Sequence, residues 1–84
     1  MRQRQFTYSL AIKKQGGRYL AYFPALPGCV AWGTTCPRAM NNAREALLDY
    51  LLSLESRGKR FPKDKSSDEV EISLGLTVRM PIIA

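Results

Sequence analysis

Residues 70–80, VEISLGLTVRM, alternate apolar and polar side chains without a break. Only a β-strand has a side-chain period of two, so this pattern predicts a strand with one buried and one wet face. Residues 5–14 repeat it, with Phe6, Tyr8, Leu10 and Ile12 pointing one way and Gln5, Thr7, Ser9 and Lys13 the other. Two strands of this kind require an antiparallel sheet covered on one side and open on the other. Something else in the chain must supply the cover.

Residues 36–57 meet that requirement. At 100° per residue, Ala39, Met40, Ala43, Ala46, Leu47, Tyr50, Leu51 and Leu54 fall on one broad stripe, which is the signature of an amphipathic helix. Thr35 is placed to cap its start, Pro37 is tolerated in the first turn, and Gly58 marks its end. The alanines allow the helix axis to approach a sheet closely. Leu48 and Leu52 lie off the stripe, a turn apart on the side that carries Glu45 and Glu55.

Between the first strand and the helix, Gln15-Gly16-Gly17 predicts a hairpin turn and residues 18–23 the returning strand. Pro24-Ala25-Leu26-Pro27-Gly28 cannot extend that strand, because proline fixes its φ and has no N–H to donate. Residues 29–33 then form a short third strand with Val30 and Trp32 on one face, and residues 58–69 a polar linker. The order is β-β-β-α-β in one domain of 84 residues, an α+β class, with the last strand beside the first. The eleven-residue last strand would span ~36 Å, about twice the usual length. Either Gly75 interrupts it with a bulge, or its far end pairs with another subunit.

A domain this small buries only about 60% of the surface of its unfolded chain, so self-association into a dimer or tetramer is expected. Leu48, Leu52, Leu76 and Val78 are the candidate oligomer contacts. No apolar run approaches 18 residues, and Lys13 and Lys14 cut short the N-terminal apolar segment, so a cytoplasmic setting without membrane contact is expected. Cys29 and Cys36 are separated by an extended segment and read as packing residues, not as a disulfide. With no histidine and two cysteines, the chain falls short of a structural zinc site, and no metal or other cofactor is expected.

The segment from Tyr19 to Leu47 resembles the N-terminal domain of the HicB antitoxin family. The resemblance rests on Tyr19 and Tyr22-Phe23-Pro24 before Leu26-Pro27-Gly28-Cys29, on Trp32-Gly33-Thr34-Thr35, and on Ala39 with Asn42-Ala43-Arg44-Glu45-Ala46-Leu47. It implies a partial ribonuclease H-like fold with sheet order 3-2-1-4 and one helix on one face. It also implies a non-catalytic antitoxin that binds and occludes a HicA-like mRNA-cleaving toxin. Many family members add a DNA-binding domain, and in 84 residues none is expected here. Cys36, Pro37 and Arg38 stand where the family often has an acid in the first helical turn.

Three sets of residues are functional candidates. Pro24, Leu26, Pro27 and Gly28 form a stiff loop that would present Leu26 to a protein partner at little entropic cost, with Trp32 nearby. Arg57, Lys59, Arg60, Lys63 and Lys65 crowd five cations into nine residues, and with a net charge of +6 they offer an alternative reading as a stand-alone nucleic-acid-binding domain. Glu45, Asp49 and Glu71 would be the carboxylates of a metal-dependent nuclease, the third and most distant reading. Residues 6–14 contain no acid to complete that set, so no catalytic residue is assigned.

Overall fold

The chain threads a four-stranded antiparallel sheet and lays one helix across one of its faces. The structure, a computed structural model, describes residues 3–64 and 72–81. Strands β1 (Gln3–Gln15), β2 (Arg18–Tyr22) and β3 (Val30–Gly33) are followed by α1 (Cys36–Ser56) and β4 (Ile72–Pro81). The sheet order is β3-β2-β1-β4 with every neighbouring pair antiparallel, as the sequence and the resemblance lead one to expect. The strand expected from residue 70 is described from Ile72 onward, and Val70 and Glu71 lie outside the described residues. Among the described residues no helix is long and apolar enough to cross a membrane.

The long last strand needs neither a bulge nor a second subunit. Its partner β1 is 13 residues long, and the two pair in one unbroken register from Gln3↔Pro81 to Ile12↔Ile72. Gly75 sits regularly opposite Ser9. The ribbon extends beyond β2, whose pairing with β1 ends at Ala11↔Tyr22. At ~3.3 Å per residue, 13 residues account for the 44 Å long axis of the molecule.

Alternation sorts the side chains between the two faces. Tyr8, Leu10, Ile12, Ala21, Ala31, Leu76 and Val78 turn toward α1 and meet Ala39, Ala43, Leu47 and Leu51 in one buried cluster. Leu76 and Val78, expected at an oligomer contact, are 3% and 6% exposed and belong to this core. Leu48 is half-buried and packs against the same cluster, so of the four expected oligomer residues only Leu52 is exposed.

The start of α1 lies almost backbone to backbone on β3. A Cβ at Gly33 would come within 2.3 Å of the Ala39 nitrogen, so only glycine allows this crossing. The Thr35 side chain accepts a hydrogen bond from the Arg38 N–H at 3.2 Å and caps the helix. At the other end the Lys59 N–H donates to the Leu54 carbonyl and the Gly58 N–H to that of Glu55, which is the Schellman arrangement.

The polar linker is partly structural. Phe61 packs edge-on against Phe6, with ring centroids 4.8 Å apart. The Tyr8 hydroxyl donates to the Pro62 carbonyl at 2.6 Å. Asp64 accepts the Ser9 N–H on one carboxylate oxygen and the Ser9 hydroxyl on the other, both at 2.8 Å. Residues 61–64 therefore hold β1 where β2 no longer pairs with it. Burial pushes the Tyr8 hydroxyl above its ordinary pKa, and the Asp64 carboxylate adds to the shift, which keeps it a neutral donor.

Gly33→Ala should lower stability by about 1–3 kcal/mol, because α1 must move off β3 to admit a methyl group; a reduced urea midpoint would show it. Cys29 provides a second test. Burial pushes its thiol from 9.0 up to about 11, so it contributes stability that is fully present below about pH 9. That contribution is lost as pH rises through about 11. Urea midpoints measured across this range should fall less steeply for Cys29→Ala than for the parent.

Candidate functional site

The loop after β2 consists of two successive turns. The Leu26 N–H donates to the Phe23 carbonyl at 2.9 Å, and the Cys29 N–H to the Leu26 carbonyl at 3.0 Å. Each turn carries proline at its second position, where the fixed φ suits it. In the second turn Gly28 follows Pro27 with φ +83°, a type II geometry that excludes most other residues there. The Phe23 N–H donates to the Cys29 carbonyl at 3.3 Å and closes the loop at its base.

This geometry corrects the expectation for Leu26. As the residue shared by the two turns it points into the core and is 1% exposed, beside buried Phe23 and Cys29. The loop presents Pro27 and Gly28, while Pro24 is half-buried. Its stiffness serves to plug the end of the core, and a partner cannot reach the Leu26 side chain.

Trp32 shares a face with Val30, as the sequence places it, and the structure shows that face to be the one away from the helix. Leu20 lies opposite Trp32 and Tyr22 opposite Val30, and opposed residues of an antiparallel pair share a face. Val30 is 49% and Trp32 38% exposed, and Leu20 and Tyr22 are half-buried. The Arg18 guanidinium stands 4.7 Å from the centre of the indole ring, a cation–π contact. Toward β4 the same face turns polar, with Gln5, Thr7, Gly75, Thr77 and Arg79, and Thr7 and Thr77 share a hydroxyl hydrogen bond at 2.7 Å. The open face is therefore polar at one end and aromatic at the other.

At the aromatic end lies a depression of about 320 Å³ lined by Arg18, Trp32, Gly33, Thr34, Arg38 and Asn42. Arg38 reaches the Thr34 hydroxyl at 3.4 Å, and the Asn42 amide donates to the Trp32 carbonyl at 2.7 Å. At the opposite edge, Arg44 donates to the Thr77 carbonyl at 3.1 Å beside a second depression of about 430 Å³. One helix thus supplies a hydrogen-bond donor to each edge strand of the sheet.

Beyond Arg38 and Arg44, the outer ridge of α1 is acidic. Glu45, Asp49 and Leu52 are exposed along it, with half-buried Glu55 beside them. Among the described residues no three potential metal ligands come together, and Glu71 lies outside them. Of the five expected nucleic-acid contacts, Arg57 donates to the Ser53 hydroxyl at 2.8 Å, and Lys59, Arg60 and Lys63 are exposed around the Phe61 anchor. Lys65 lies outside the described residues.

Several contacts were missed by reasoning from sequence. Nothing in the alternation marks Asp64 as the partner of Ser9. Phe61, a lone aromatic in a polar stretch, was the one available signal that the linker docks. Asn42 and Arg44 stood within the family pattern, but their roles at the sheet edges depend on how α1 sits across the sheet.

A four-stranded antiparallel sheet of this order under one helix is the fold of HicB N-terminal domains. The N-terminal domain of the Burkholderia pseudomallei antitoxin HicB superposes with a TM-score of 0.67 at 21% identity, over 92% of this chain and all of that one. A chain of the HicA3 and HicB3 toxin-antitoxin complex superposes at 0.62 with 25% identity, over 94% of this chain and all of that one. In sequence, a UPF0150 protein of Thermoplasma acidophilum is 36% identical over 62 residues, covering 73% of this chain and 90% of its own length. Residues 8–75 match the family described as the HicB_like antitoxin of bacterial toxin-antitoxin systems, and the chain belongs to that family.

Leu26→Ala should cost about 2–5 kcal/mol as a core truncation, whereas Val30→Ala on the open face should stay within about 0.5 kcal/mol of the parent. Chemical unfolding of the two variants checks this assignment.

Proposed function

We propose that the chain is a non-catalytic antitoxin that neutralises a HicA-like ribonuclease by binding it, and that the outer ridge of α1 makes the contact. The family supports the antitoxin role, and the structural likeness to a chain of a HicA3–HicB3 complex supports a toxin of that kind as partner. The observation that carries the choice of surface is the acidic ridge of Glu45, Asp49 and Glu55 around exposed Leu52. A ribonuclease that binds RNA is expected to present cations, so a chain of net charge +6 must meet it through a locally acidic face. Leu52 supplies an apolar centre that an acidic rim can surround. The exposed Pro27-Gly28 turn is a second contact we retain from the family pattern.

Co-expression with the product of a HicA-like reading frame beside the gene is the direct test. The two proteins should co-purify, and Glu45→Lys with Asp49→Lys should weaken the complex by about tenfold or more, chiefly through slower association. Absence of a complex with such a toxin, or a complex indifferent to both reversals and to Leu52→Ala, would overturn this reading.

A further inference from the structure

We infer that the open face of the sheet at β2 and β3 binds single-stranded nucleic acid, with bases stacking on the Arg18–Trp32 pair and phosphates held by Lys13, Arg18 and Arg38. The β2–β3 face lies across the sheet from α1, with Arg38 reaching its margin from the first turn of the helix, and the inference does not rest on the antitoxin reading. Lys13, Leu20 and Trp32 form one row across three strands, since Lys13 pairs with Leu20 and Leu20 with Trp32. The row therefore carries a cation, an apolar side chain and an indole in succession, and Tyr22 and Val30 repeat the apolar pair two residues along.

Nucleic acid suits this face for three reasons. First, stacking planes are available. Trp32 keeps 38% of its surface exposed with Arg18 in place, and bases stack on guanidinium planes as well as on indoles. Second, the charge is of one sign. The depression at Trp32 is lined by Arg18 and Arg38 and by no acid. Of the described acids, Glu45, Asp49 and Glu55 lie on α1. Asp64 meets the sheet at Ser9, ~13 Å along β1 from Lys13, with its carboxylate bonded there. Third, a second copy of the chain would bring Lys13, Arg18 and Arg38 against the same cations, and like charges at such an interface repel. Single strands fit better than duplex, because a sheet with exposed aromatics stacks on unpaired bases.

The chain contains one tryptophan, so its indole fluorescence, excited where the tyrosines do not absorb, reports on this face. Titration with an RNA oligonucleotide of about 12 nucleotides should quench Trp32. Anisotropy of the labelled oligonucleotide should show affinity falling about 20-fold between about 50 and 200 mM salt, as three phosphate contacts require. Arg18→Gln and Trp32→Ala should each weaken binding by about 5- to 100-fold, with Trp32→Phe intermediate and unfolding midpoints near the parent. Replacing Arg57, Lys59, Arg60 and Lys63 together by glutamine should leave the quench intact. Three results would overturn the inference: no quench, binding unchanged in Arg18→Gln and Trp32→Ala, or binding lost in the glutamine variant. A toxin that quenches Trp32 where RNA does not would assign the face to protein contact instead. Glu45→Lys with Asp49→Lys should still bind RNA, so failure of the antitoxin reading and failure of this one are separable.

Discussion

The close approach of α1 to β3 is the constraint on which the rest of the molecule depends. Gly33 removes the atom that would strike Ala39, and Ala39 and Ala43 keep the helix surface low where it crosses the sheet. With the helix this near, Leu47 and Leu51 reach the middle of the sheet and are fully buried. Fine packing of this kind, more than hydrophobicity in general, selects a single docked geometry. The same approach sets Asn42 against the carbonyl of Trp32, whose ring strand alternation places on the opposite face.

A second consequence is the separation of charge. Because α1 covers one face, Glu45, Asp49 and Glu55 are kept off the open face that carries Lys13, Arg18 and Trp32, and Arg38 in the first turn of the helix lies between the two surfaces. The net charge of +6 describes neither surface. A domain with a locally acidic ridge can meet a basic partner in spite of its sum, since interaction across an interface depends on the charges within roughly a Debye length.

Much of this was legible in the sequence because it follows from period and from punctuation. Alternation placed β1 and β4, the stripe of alanines and leucines placed α1, and Thr35, Pro37 and Gly58 placed its ends. What was not legible depends on distances between remote residues. The length of β4 looks anomalous against that of a usual strand, and only its pairing along the still longer β1 accounts for it. Leu26 read as a presented side chain because a proline loop looks like a surface feature, whereas the two turns rotate it inward. Leu48 lay off the helical stripe by angle but still packs against the core. At the candidate site, Trp32 was foreseen, while its guanidinium neighbour Arg18 depends on β2–β3 pairing.

The two donors that α1 sends to the sheet margins have a further meaning. Asn42 occupies a carbonyl on β3 and Arg44 one on β4, the strands whose outer sides have no strand neighbour among the described residues. Such margins invite a strand from another molecule, and proteins guard them in various ways. Here both guards ride on a single element, two positions apart. Any excursion that lifts the helix unblocks both margins together and bares the apolar face between them. The close seating of α1 on Gly33 thus does more than build the core, because the same seating holds both guards on the sheet margins.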